Sequence, residues 1–184
     1  MRNVILDLAV TLDGFIEGPN GEIDWCVMDD DMDFEGFISG IDTIFYGRVS
    51  YEMWGNYKPG ENANQAEKSL WAAIHSKQKF VFSRTAQEDE NATWITSDII
   101  ETVAEIKAQE GTNIWLYGGA KLISGFVNLG LIDQYRLSVH PTALGKGKYL
   151  FENLNYRLNL SLLELKPFKS GVVQLIYSTE TTDR

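Results

Sequence analysis

The stretch Asn113-Ile114-Trp115-Leu116-Tyr117-Gly118-Gly119-Ala120-Lys121-Leu122 runs through aliphatic and aromatic residues, turns on two glycines and then changes period. Leu122, Ile123, Phe126 and Val127 mark the stripe of a helix that closes near Gly130. A strand apolar on both faces that passes straight into a helix is the unit of a sheet covered on two sides.

The same unit recurs on either side. Thr43-Ile44-Phe45-Tyr46 reads as a short buried strand ending at Gly47, and Arg48 to Trp54 as a helical turn or two. Residues 3–11 form a first strand, followed by the turn dipeptides Asp13-Gly14 and Asn20-Gly21. Phe34, Phe37, Ile38 and Ile41 predict a helix beginning near Asp30, with Asp29, Asp30 and Asp31 in its first turn, where the helix dipole favours negative charge. A clearer helix covers 64–75, with Ala66, Leu70, Ala73 and Ile74 on one side, and Lys79 to Ser83 is the next strand. A short strand near Trp94-Ile95 precedes a helix from about Asp98 to Gln109, with Gly111 as its left-handed stop. Three alternating strands, about 132–140, 157–165 and 171–179, end the chain without helices between them. The expected fold is therefore a three-layer α/β/α domain over 1–184, its mixed sheet mainly parallel with an antiparallel C-terminal edge.

Composition narrows the function. The formal charge of −10 repels nucleic acid and anionic lipid, so neither is expected as a partner. No run approaches the ~20 apolar residues that a membrane-spanning helix needs. Asp7 interrupts the apolar N-terminal run, which argues against a secretory leader. With Cys26 as its one cysteine the chain makes no internal disulfide, and a reducing cytoplasm is the simplest home. His75, His140 and Cys26 are too few for a common zinc site, so no metal is expected. His75 reads as solvent-facing, His140 as structural, and Cys26 has no nearby base to make it a nucleophile.

In α/β sheets ligands gather where strands lead into helices. Two such corners carry glycine and a cation: Gly47-Arg48 with Ser50, and Gly118-Gly119-Ala120-Lys121. Each offers free backbone N–H groups and a positive helix end to an anion, though a plain tight turn has the same composition. A third corner, Ser83-Arg84-Thr85, sets two hydroxyls around a guanidinium, a set that holds phosphate or faces solvent. Trp25 and Trp54 flank glycine-bearing loops and are candidate pocket walls. The dinucleotide fingerprint, the P-loop and the nucleophile elbow are all absent.

These pieces in this order resemble the dihydrofolate reductase superfamily. They are most similar to the branch containing the reductase domain of the bifunctional riboflavin-biosynthesis deaminase-reductase. The matching segments are Leu8 to Ile16 with Trp25 downstream, Asp42 to Arg48, Lys79 to Arg84, Trp115 to Gly119, and Leu144-Gly145-Lys146-Gly147 with Leu150-Phe151. The resemblance implies an NADPH-dependent reductase of a pterin- or pyrimidine-like heterocycle, often homodimeric. It implies that Gly47, Arg48 and Ser50 contact cofactor phosphates and that Ser83, Arg84 and Thr85 hold the adenosine 2′-phosphate. Gly118, Gly119, Ala120, Lys121 and Leu122 would cradle the pyrophosphate. It also places a pterin-binding acid at Asp31, with Asp33 competing, and sets Asp13 on a loop covering the nicotinamide. Trp25, Phe34 and Trp54 complete the expected substrate set. The acidic run from Asp29 to Glu35 also fits a helix N-terminus with a solvated face, and it would repel the phosphorylated riboflavin intermediate. The rival readings are reduction of another small carbonyl or imine, and nucleotide binding without turnover.

Overall fold

The computed structural model describes residues 1–180; the last four positions of the expected domain, 181–184, lie outside the described residues. The strands are β1 (Val4–Thr11), β2 (Phe15–Glu17), β3 (Ile41–Gly47), β4 (Gln78–Phe82), β5 (Thr93–Ile95), β6 (Asn113–Gly118), β7 (Gln134–His140), β8 (Lys148–Tyr149), β9 (Leu160–Pro167) and β10 (Val173–Thr179). The helices are α1 (Phe34–Ser39), α2 (Arg48–Ser50), α3 (Gln65–His75), α4 (Ile99–Ala108) and α5 (Ala120–Asn128). From α2 the chain runs on through one wide π turn, Tyr51–Gly55.

Eight strands form one sheet in the order β5-β4-β3-β6-β1-β7-β10-β9. The six strands from β5 to β7 are parallel, while β10 and β9 run antiparallel at the edge. Side chains alternate across a strand, so the sheet sorts its residues by parity. Val4, Leu6 and Val10 of β1 share one layer with Phe45, Ile114, Leu116 and the α4–α5 residues Val103, Ile106, Phe126 and Val127. Ile5, Ile44, Tyr46 and Trp115 belong to the other, with Phe37 and Ile38 of α1 and Ile74 of α3. Burying side chains of this size contributes about 2–3 kcal/mol each, which makes these two layers the main source of stability.

Four expectations change. The helix expected from Asp30 splits into a 3₁₀ turn, Asp30–Met32, and α1, because Asp33 adopts a left-handed conformation (φ 51°) and its carboxylate accepts from Gly36 N at 3.1 Å. Ile41 consequently opens β3 rather than extending the helical stripe, and Asp29 accepts from the backbone and hydroxyl of Ser170 instead of capping. Gly111 does not stop α4, which ends at an extended Gln109; a side chain at 111 would fall on the Arg2–Asp42 ion pair. His75 is half-buried, its ring against Trp71 and its Nε2 on the carbonyl of Tyr57, so it pins a loop rather than facing solvent. The small β2–β8 sheet is too short to leave a periodic signal.

Candidate functional site

A cleft of about 440 Å³ opens over the C-terminal halves of the parallel strands. One end is formed by Ser50 and Gly119, the middle by Trp115 and Tyr117, and the far floor by Asp7, Arg136, Ser138 and Gln174. Its walls are apolar: Ile23, Val27, Met28, Met32, Phe34, Trp54, Leu70 and Trp71.

The floor follows from register. Asp7 pairs with Arg136 across β1 and β7, and Ser138 lies opposite Ala9 on one side and Gln174 on the other. Asp7 Oδ1 stands 3.4 Å from Arg136 Nε, a charge contact whose alignment leaves the Nε proton without a hydrogen bond. The guanidinium also donates to the Met32 carbonyl at 3.1 Å and lies 4.8 Å from the centre of the Phe37 ring. Burial disfavours the charged carboxylate more than Arg136 restores it, and the Asp7 carboxyl is pushed up to about 7. Gln174 donates to Ser138 Oγ at 3.2 Å and leaves its own Oε1 unpartnered. Trp115 Nε1 donates to the Asp7 carbonyl at 3.1 Å, tying the cleft wall to the strand that carries the acid.

At the other end, sheet order brings the three glycine- or hydroxyl-bearing corners together, since β4, β3 and β6 are neighbours. Tyr46 is registered with Gly118, and Gly47 with Phe82. A Cβ on Gly47 would sit 3.3 Å from the Gly118 carbonyl oxygen and 3.4 Å from Gly119 N; one on Gly119 would sit 3.1 Å from Ser50 Oγ. The Gly118–Gly119 peptide is cis, and Gly119 precedes α5 as a cap residue with no side chain to offer, leaving the first amides of the helix without a side-chain partner. Ala120 and Leu122 are half-buried there and Lys121 is exposed. Arg48 spends one guanidinium nitrogen on Glu52, at 2.7 and 2.8 Å, so this corner offers backbone and Ser50 more than a free cation. Beyond β4, Ser83 N donates to Ile95 O at 3.0 Å and Ser83 Oγ accepts from Thr85 N at 3.2 Å, leaving Arg84 exposed.

Phe34 and Trp54 line the cleft, whereas Trp25 does not. The Trp25 indole donates to Glu22 O at 3.3 Å and packs edge-on against His140, 5.2 Å between ring centres, which places it behind the wall. Asp31 is exposed and outside the lining, because the 3₁₀ turn directs Met32 and not its neighbour to the cleft. Asp33 is the cap of α1. Asp13 also lies outside the lining: its carboxylate accepts from Thr11 Oγ1 at 2.6 Å, Leu144 N at 3.2 Å and Gly145 N at 2.8 Å. The Thr11 hydroxyl foremost, then these amides, hold the Asp13 carboxyl below its ordinary value. It latches the turn after β1 to the loop before β8. His140 is buried at the cleft base, where Nδ1 lies 2.9 Å from Ser138 O and Nε2 lies 3.0 Å from Val27 N and 3.2 Å from Val27 O, so the ring ties β7 to the loop before the 3₁₀ turn. Burial pushes the Cys26 thiol up to about 11, which leaves it unreactive near neutrality.

The floor residues Asp7, Arg136, Ser138 and Gln174 are absent from the sequence-derived site. Asp7 did leave a signal, a lone carboxylate in an aliphatic strand, which is costly unless the site uses or pairs it. Arg136 and Ser138 alternate with Tyr135 and Leu137 in the manner of an ordinary half-solvated strand, so nothing local distinguishes them.

The chain belongs to the RibD C-terminal domain family, whose profile matches residues 2–174. It is 55% identical over 177 residues to the uncharacterized protein YyaP of Bacillus subtilis, covering 96% of this chain and 94% of that protein. A Shewanella sp. PV-4 protein, provisionally assigned to riboflavin biosynthesis, superposes with a TM-score of 0.78 at 22% identity, covering 98% of this chain and 99% of the other. Dihydrofolate reductase of Enterococcus faecalis, complexed with NADP(H) and RAB-propyl, gives a TM-score of 0.65 at 15% identity, covering 97% of this chain and 96% of the other. The fold is thus dihydrofolate-reductase-like, a mainly parallel sheet with an antiparallel edge, and family membership supports a reductase-type role. Among the described residues no helix is long and apolar enough to cross a membrane.

Proposed function

We propose that this protein is an NADPH-dependent reductase acting on a pterin- or pyrimidine-like heterocycle. The observation that carries this reading is a single cleft with Ser50 and the Gly119 corner at one end and a buried acid–guanidinium floor at the other. Gly47 and Gly119 fit a phosphate-bearing group, because a side chain at either would crowd the facing backbone or the Ser50 hydroxyl. The open amides at the start of α5 suit a pyrophosphate. Arg84, flanked by Ser83 and Thr85, would take the 2′-phosphate that separates NADPH from NADH. Bound NADPH would supply the hydride.

The chain's own contribution is orientation and exclusion of water. Trp54, Trp71 and Phe34 wall the cleft, and the Asp13 latch keeps the adjoining loops in place. A homodimer in the cytoplasm completes the reading. Its contact would be β9, an edge strand with Leu162, Leu163 and Leu165 more than half exposed.

The test is loss of NADPH absorbance with pterin and pyrimidine acceptors, run beside calorimetric titration of NADPH alone. Turnover on at least one acceptor is expected. Binding without turnover on the whole panel would favour a nucleotide-binding protein, and absence of binding would remove the cofactor site.

A further inference from the structure

We propose that the Asp7–Arg136–Gln174 floor recognises the lactam edge, an adjacent N–H and C=O, of a flat ring that carries no phosphate. This rests on the reductase reading for its use in turnover and deepens that reading by naming what the substrate end selects.

Charge sets the first limit. Among the described residues lining the cleft, Arg136 is the one lysine or arginine, facing two carboxyl groups, Asp7 and Glu17. Arg136 is already committed to Asp7, to the Met32 carbonyl and to the Phe37 ring. Lys148 is held by the cleft residue Glu17 in an ion pair. A phosphate entering here would find one cation, Arg136, already engaged by the Met32 carbonyl and the Phe37 ring, and a like charge at Glu17, which is unfavourable in a cleft with apolar walls.

Hydrogen-bonding capacity sets the second. Gln174 is 3% exposed and lines the floor, yet its Oε1 has no partner in the fold. Buried acceptors are normally satisfied, and a ligand N–H is the donor this one lacks. Asp7 and Arg136 open onto the same floor by 10% and 14% of their side chains. Between them they present a guanidinium donor and a carboxyl group that, when protonated, also donates, which matches a ring carbonyl beside that N–H. Shape supplies the third limit: Phe34 and Trp115 flank this end and suit a planar ring.

Calorimetric titration of the intact protein, without cofactor, tests the assignment with four probes: pterin, 3-methylpterin, uridine and uridine 5′-phosphate. Pterin is expected to bind at least tenfold more tightly than 3-methylpterin, whose blocked N3 cannot donate, and uridine at least as tightly as its phosphate. Gln174→Leu should cost pterin tenfold or more while leaving NADPH binding unchanged. Equal affinity for pterin and 3-methylpterin, no heat from pterin or uridine, or a tenfold preference for uridine 5′-phosphate would each overturn the proposal. Because the ligand comparison uses the unaltered protein, it stands even if Gln174→Leu fails to fold. A missing NADPH signal beside normal ring binding would instead reject the reductase reading.

Discussion

Asp7 Oδ1 lies 3.4 Å from Arg136 Nε, two neighbours on adjacent parallel strands whose side chains are both nearly buried and both open onto one cleft. The contact is too poorly aligned to offset the desolvation of the carboxylate, so the acid stays protonated far above its ordinary range.

The pH dependence of stability follows. The unfolded chain releases the Asp7 proton near 3.8, and the native protein keeps it to about 7. Between those values the native state binds one more proton than the unfolded state, so stability falls as pH rises, by up to about 1.4 kcal/mol per unit. Asp7→Asn cannot ionise and should lose that slope. Urea midpoints measured from pH 4 to 8 would then converge at the acid end, with the variant more stable at pH 8. Parallel curves would show that Asp7 is ionised throughout.

Asp31 provides the matching negative. Its side chain is exposed and outside the cleft, so Asp31→Asn should leave kcat and its pH profile within about twofold of the parent. Asp7→Asn should lower kcat/KM at least tenfold. The reverse pattern would restore the acid to the helix end.

Gly119→Val is expected to abolish NADPH binding, read by tryptophan quenching, with an unchanged far-UV spectrum. At φ −82° valine is conformationally allowed, so the effect comes from the side chain meeting Ser50 Oγ and filling the cradle. Normal titration would move the cofactor elsewhere.

Arg84→Ala should weaken NADPH about 10- to 100-fold and leave NADH within twofold, since a guanidinium–phosphate contact contributes about 1.5–3 kcal/mol. Calorimetry with both coenzymes decides it, and equal losses would detach Arg84 from the 2′-phosphate.

Asp13→Ala should speed amide exchange at Leu144 and Gly145, the two N–H groups its carboxylate accepts from. Because the folded-state value of this acid is lowered, the latch is complete above its ordinary value of 3.8 and is lost as pH falls below it. Protection at those two amides in the parent protein should therefore drop on acidification, and remain low in the variant at every pH.

The glycine-bearing corners of the cleft were readable from the chain because backbone geometry forces their composition. At Gly47 and Gly119 a side chain would crowd its neighbours, and a strand passing directly into a helix announces where the amides point. The substrate end depends on which strands become neighbours. Asp7, Arg136 and Gln174 are separated by well over a hundred residues in all and meet only through β1–β7–β10 pairing. Asp31 misled for a related reason. A left-handed Asp33 breaks the helical pattern, so the face that a continuous helix would have turned inward carries Met32 and Phe34 instead.

The parity of β1 has a consequence for folding as well as for binding. Slipping that strand by a single residue against β7 would drive the Asp7 carboxyl into the aliphatic layer beneath α4 and α5, and carry Leu6 to the cleft side. A misregistered sheet would then hold a stranded acid in oil, so the residue that equips the pocket also proofreads the assembly of its central ladder.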